Sequence, residues 1–183
     1  MIKKTETIGH VLYTEAELLR RAKEIGKQIT KDYDGEEVIL LGTLKGSLFW
    51  MADVMKNIDL DTKMDFMVAS SYGSSTMSSG VVKMSLEPAE NLYNKNVIIV
   101  EDIIDTGNTL SYIVKKIEQR APKSVKICTM LDKPSRRTAD VKGDYVGFEV
   151  EDLFVIGYGL DFDQKYRGLP YISFLDPESI ENL

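Results

Sequence analysis

Val97-Ile98-Ile99-Val100-Glu101-Asp102-Ile103-Ile104-Asp105-Thr106-Gly107-Asn108-Thr109 decides how the rest of this chain is read. The β-branched run at its start predicts a strand buried on both faces, which belongs to a parallel sheet covered by helices. The run ends in the paired acids Glu101 and Asp102, and a third acid, Asp105, opens a Thr-Gly-Asn-Thr turn into a helix. Buried parallel strands deliver functional groups at their carboxyl ends, and small residues at the next helix N-terminus can aim backbone N–H groups at a phosphate. Three acids beside such a cradle would repel a lone phosphate. They make sense if they grip hydroxyls or a divalent cation, so the expected ligand is a phosphorylated sugar.

Outward from this stretch, strands and helices alternate. Thr14 and Glu17 make a capping-box pattern, and Leu18, Leu19, Ala22, Ile25 and Ile29 follow at helical spacing toward Tyr33. Residues 37–42 read as a buried strand, 43–46 as a turn and 47–58 as a helix. A strand over 63–72 runs into Gly73-Ser74-Ser75-Thr76-Met77-Ser78-Ser79-Gly80, which has almost nothing to bury and predicts a mobile loop, with 81–86 returning as its partner strand. Beyond the central stretch, Leu110, Ile113, Val114 and Ile117 mark one face of a helix that stops before Pro122. Strands are expected over 125–131, 145–150, 154–158 and 171–175. The alternation implies an α/β fold with a largely parallel central sheet flanked by helices, and residues 1–183 read as one domain without repeat or linker.

Composition narrows the function. With 183 residues, 43% hydrophobic, the chain can bury a substantial core. The net charge of −6 and pI near 4.9 argue against a nucleic-acid partner held through a broad basic face, so any bound anion must be held locally. The single cysteine, Cys128, precludes an internal disulfide and reads as a buried strand thiol. No apolar run approaches the ~20 residues of a membrane span, and residues 1–10 lack a signal-peptide core, so no membrane partner and a cytoplasmic location are expected. His10 has no metal-ligand neighbours in sequence and reads as a surface residue.

The string from Val97 to Thr109, continued by Leu110, resembles the phosphoribosyl pyrophosphate (PRPP) signature of the type I phosphoribosyltransferases, and its details are most similar to the bacterial hypoxanthine-guanine branch. The resemblance implies a flavodoxin-like core, a small hood built partly from the two ends of the chain, a mobile active-site loop and a homodimer or homotetramer. It implies that Glu101 and Asp102 contact ribose hydroxyls and help place Mg²⁺, that Asp105 accepts the purine N7 proton, and that Asp105, Thr106, Gly107, Asn108 and Thr109 surround the 5′-phosphate. Residue chemistry agrees, since carboxylates bond cis hydroxyls and Mg²⁺ takes oxygen ligands.

Other segments take roles by the same resemblance. Leu44-Lys45-Gly46 is similar to the family's pyrophosphate loop, often entered through a cis peptide whose isomer no sequence reveals. Ser71 and Tyr72, at the head of the serine-rich loop, match the lid that closes over pyrophosphate, and Arg167 matches an arginine engaging the same group. In Leu131-Asp132-Lys133-Pro134, Lys133 matches the lysine that donates to a purine 6-oxo group. In Glu151-Asp152-Leu153-Phe154-Val155-Ile156-Gly157-Tyr158-Gly159-Leu160-Asp161, Phe154 matches the aromatic that stacks on the base. Val155 matches a backbone contact to the base, and Asp161 lies in the base pocket and the region of a second Mg²⁺. Arg136 and Arg137 receive no individual role.

These matches imply Mg²⁺-dependent transfer of phosphoribose from PRPP to hypoxanthine or guanine. An RNA-binding regulator on the same fold and a PRPP synthetase are the alternatives. The acidic pI and the oxopurine-type segments weigh against the first, and the lack of a recognisable ATP site weighs against the second.

Overall fold

A computed structural model describes residues 8–71 and 82–176, with backbone alone at Ser70 and Ser71. Thr14 caps the first helix, α1 (Glu15–Tyr33). Its backbone N–H donates to Glu17 Oε2 at 2.8 Å, and its hydroxyl accepts from the Glu17 N–H, the reciprocal pair expected from the spacing. There follow β1 (Val38–Thr43), α2 (Leu48–Met55), β2 (Thr62–Ser71), β3 (Val82–Leu86), β4 (Asn96–Ile104), α3 (Asn108–Glu118), β5 (Ser124–Asp132), a 3₁₀ turn (Pro134–Arg136), β6 (Tyr145–Glu149), β7 (Val155–Ile156) and β8 (Ser173–Phe174).

The main sheet has the order β3-β2-β1-β4-β5-β6, with only the β2–β3 pair antiparallel. Its central strands are buried on both faces, as their unbroken apolar runs require. Val38, Leu40, Ile98 and Val100 pack with Leu18 and Ile25 of α1 and with Trp50 and Val54 of α2. The alternate residues Ile39, Leu41, Val97 and Ile99 pack with Leu110, Ile113 and Ile117 of α3 on the other face. Cys128 lies wholly buried in β5, where desolvation pushes its thiol up to about 12, and His10 is an exposed residue set edge-on to Phe174.

The chain leaves β1 toward β2 on one side and comes back to β4 on the other. This reversal opens a crevice above the carboxyl ends of β1 and β4, the usual place for a ligand in an open α/β sheet. A second sheet, β7 with β8, forms the hood, and bridges Ile8↔Leu175 and Tyr13↔Ile172 draw sequence-distant segments into it.

Two expectations change. β4 does not stop at the paired acids: it runs on to Ile104, with Glu101 opposite Thr129 and Ile103 opposite Leu131. Backbone pairing with β5 holds these residues whatever charge the side chains carry. The segments 154–158 and 171–175 shrink to two-residue strands, because Gly157, Tyr158 and Gly159 all take positive φ (97°, 47° and 104°) and turn the chain out of β7. The loop expected over 73–80 lies outside the described residues.

Candidate active site

The carboxyl end of β1 supplies Lys45 and Gly46, with the Leu44–Lys45 peptide cis. The carboxyl end of β4 supplies Glu101 and Asp102, and the two strands meet tightly. A Cβ on Gly46 would overlap the Asp102 carboxylate, and a Cβ on Gly159 of the hood would overlap the Gly46 carbonyl oxygen. Glycine at both positions lets the β1 loop sit between the acids and the hood.

Glu101 and Asp102 are electrostatically crowded. Desolvation, followed by the Asp102 charge, pushes the Glu101 carboxyl well above the ordinary carboxylate range, against a hydrogen bond from Thr43. Asp102 is also raised, chiefly by desolvation; the Ile103 N–H, donating at 2.8 Å, and the Arg167 charge pull the other way. A carboxyl raised on folding holds a proton that the unfolded chain releases, so its stabilising effect is lost as pH climbs from the ordinary carboxylate range through the folded value. Glu101→Gln, which cannot ionise, is therefore expected to melt higher than the parent at pH 7.5 without divalent cation, by about 2–4 °C per kcal/mol recovered in a domain of this size. The gap should close toward pH 4. Melting curves at the two pH values check this, and a pH-independent difference would contradict it.

Asp105, Thr106, Gly107 and Thr109 line an open cavity of about 250 Å³ with Glu101 and Asp102. Gly107 has φ 82° and offers no side-chain cap to α3; the Asn108 N–H reaches the Thr106 hydroxyl at 3.5 Å, and a helix N-terminus without a capping side chain suits a bound anion. Asn108 is the first, exposed residue of that turn. The loop is fastened from behind, as the Thr106 carbonyl accepts the N–H groups of Thr138 and Ala139 at 3.0 Å each. Arg137 pairs with Asp132 and lies against Gly107.

Over the far side of the crevice, Lys133 is nearly buried and donates from Nζ to the Leu153 carbonyl at 2.6 Å. Phe154 is 43% exposed and meets Phe162 edge-on, with centroids 5.4 Å apart, while Val155 is buried in β7. An exposed aromatic face braced by a second ring suits stacking on a planar ligand. Arg167 donates to the Gly159 carbonyl at 2.6 Å and pairs with Asp161 at 2.7 Å. The other Asp161 oxygen accepts the Gln164 N–H at 2.8 Å, and Gln164 Oε1 in turn accepts from Lys45 Nζ at 3.0 Å.

Lys45, Gly46, the acids, the cradle, Lys133, Phe154 and Arg167 thus converge on one crevice. Ser71 is described only as the backbone end of β2, and Tyr72 lies outside the described residues. Asp152 and Gln164 were not anticipated. Asp152 faces Lys133 Nζ at 3.8 Å and Arg136 Nη1 at 3.3 Å, and Gln164 bridges Lys45 toward Arg167. The one hint in sequence was their placement beside Phe154 and Arg167.

The phosphoribosyl transferase domain model matches residues 11–163. The hypoxanthine-guanine phosphoribosyltransferase of Bacillus subtilis is 49% identical over 96% of this chain and 97% of its own length. The chain belongs to the hypoxanthine-guanine phosphoribosyltransferases. Solved structures agree with this assignment: a hypoxanthine phosphoribosyltransferase from Staphylococcus aureus superposes with TM-score 0.90 at 45% identity, covering 93% of each chain. The hypoxanthine phosphoribosyl transferase of Trypanosoma cruzi reaches 0.91 at 36% identity, over 98% of this chain and 97% of that one. As a phosphoribosyltransferase of this family, the protein serves purine salvage. The fold expected from the resemblance, a largely parallel sheet with a small hood, is the one observed.

Proposed function

We propose that the crevice transfers phosphoribose from PRPP to hypoxanthine or guanine with Mg²⁺, giving IMP or GMP and pyrophosphate, and that residues 1–183 act as one unit in a cytoplasmic homodimer or homotetramer. Among the described residues no helix is long and apolar enough to cross a membrane. One observation carries the residue roles: the cradle at the end of β4 and the Lys45-Gly46 loop at the end of β1 face a single crevice, with Lys133 and Phe154 above it.

Asp105, Thr106, Gly107, Asn108 and Thr109 hold the 5′-phosphate through backbone N–H groups and hydroxyls. Glu101 and Asp102 accept the ribose hydroxyls. They also suit Mg²⁺, since they are adjacent hard oxygen donors whose charged forms are poorly solvated where they stand, and Mg²⁺ is commonly held by one or two carboxylates plus substrate oxygens. Asp161, paired with Arg167, would join from the hood side. Bound there, the cation would offset charge on the departing pyrophosphate.

Lys45, Gly46 and Arg167 receive that pyrophosphate, with Ser71 and Tyr72 as its cover. The fork of Arg167 suits paired phosphate oxygens. Phe154 stacks on the purine, and the Val155 backbone borders its edge. Asp105 takes the N7 proton, which raises electron density at N9 as the anomeric carbon loses its leaving group. No covalent nucleophile is needed; positioning and electrostatics carry the rate.

Lys133 donates to the 6-oxo group, a contact that an exocyclic amine cannot replace. Lys133→Ala is expected to lower kcat/KM for hypoxanthine about tenfold to a hundredfold, the worth of one charge-assisted hydrogen bond, and to narrow the gap between hypoxanthine and adenine. The test of the whole reading is product separation after incubation with PRPP, Mg²⁺ and each of hypoxanthine, guanine, xanthine, adenine and uracil. Formation of IMP and GMP supports it, and no turnover of any purine would sink it.

A further inference from the structure

Arg136 leaves the 3₁₀ turn after β5 and reaches back over the crevice. Its Nε donates to Asp105 Oδ1 at 3.1 Å, while its Nη1 lies 3.3 Å from Asp152 Oδ2. The other oxygen of Asp152 faces Lys133 Nζ at 3.8 Å. Four charged groups therefore run in alternation, Asp105, Arg136, Asp152, Lys133. The first and last are the two that the proposed reaction aims at different edges of one purine.

We propose that Arg136 is a positioning residue for the purine proton transfer: it holds Oδ1 of Asp105 so that Oδ2 faces the base, and through Asp152 it ties that carboxylate to the lysine that reads the 6-oxo group. This rests on the reading of Asp105 as the group that takes the N7 proton.

Stability alone gives little reason for the arrangement, because both ion pairs are about half exposed and such pairs are usually weak. Geometry gives a better one. Asp105 follows the end of β4, at the head of the cradle, where its side chain has rotational freedom that a strand interior would deny it. A planar guanidinium with two arms on two carboxylates fixes their relative orientation in a way that a point charge does not. Misplacement of a reacting group by about 1 Å can cost on the order of a hundredfold in rate. The nearly buried Lys133 also needs a counter-charge, and Asp152 supplies it while sharing the same carboxylate with Arg136. Holding one oxygen of Asp105 leaves the other to accept the N7 proton, so Arg136 does not have to depart when the base binds.

Single-turnover rates and PRPP affinities of the full chain carrying R136Q, R136K, D105N and the R136Q/D105N pair test this with hypoxanthine and Mg²⁺. R136Q is expected to slow the chemical step about tenfold, a part of the positioning effect, with PRPP affinity nearly unchanged. R136K keeps a cation near Asp105 but loses the fork that also holds Asp152, and should recover only a minor part of that loss. In the D105N background R136Q should add little, since groups acting through one another are not additive. A parental rate in D105N would sink the role of Asp105 itself. A slow D105N beside a parental R136Q, or an R136Q loss that multiplies in full with D105N, would overturn the role of Arg136 and leave the reaction reading standing.

Discussion

Asp105→Asn is expected to form IMP and GMP about two to four orders of magnitude more slowly than the parent in single turnover, the range for loss of a positioned general base. The amide has the shape of the carboxylate but cannot take a proton at neutral pH. The proposed phosphate cradle draws on backbone N–H groups of the turn and the start of α3, which the substitution leaves in place, so PRPP affinity should barely move. Rapid-quench measurement of nucleotide formation, beside equilibrium binding of PRPP, separates the two effects. A large loss of PRPP affinity with an intact chemical step would mean that Asp105 shapes the cradle and that the N7 proton leaves by another route.

Gly46→Ala should do comparable damage from the opposite wall. A methyl group there overlaps the Asp102 carboxylate, and the Gly46 carbonyl faces Gly159 of the hood so closely that only a glycine fits opposite it, which leaves the loop little room on that side. Either the acids swing away or the β1 loop lifts, and a displacement of about 1 Å at this point is worth roughly a hundredfold in kcat/KM. The loss should appear with hypoxanthine and guanine alike, because the displaced groups are those proposed to meet PRPP and pyrophosphate. Steady-state kinetics with both bases checks this, and a loss confined to one base would show that the substitution acts through the base pocket.

That these residues would gather at the end of a central strand could be read from the sequence because the pattern is local. Val97 to Thr109 carries a strand, a pair of acids and a glycine-bearing turn into a helix within a few residues, and each has its own pattern of residue types. The continuation of β4 past Glu101 was hidden for a physical reason, as charge at a strand's end looks like its boundary although the ladder to β5 is made by backbone groups. Sheet order was equally hidden, since nothing in the periodicity of a strand names its neighbour. Asp152 and Gln164 show the same limit at the level of side chains. An acid next to Glu151 and an amide next to Lys165 look like ordinary surface, and their meaning lies with Lys133, Arg136, Lys45 and Arg167, which only folding brings near.

The hood joins segments 164 positions apart, where the Ser173 hydroxyl donates to the Gly9 carbonyl and β8 completes the small sheet that carries Val155. Synthesis runs from the N-terminus, and a domain generally folds as a unit. On the ribosome, the residues of β1, β4 and the start of α3 are made long before those of β8. The nascent chain therefore holds the residues proposed to grip a sugar phosphate before it holds all those that build the hood. The small sheet that carries Val155 closes only with the last described strand, so the platform proposed for the base is the final part of the site to be supplied.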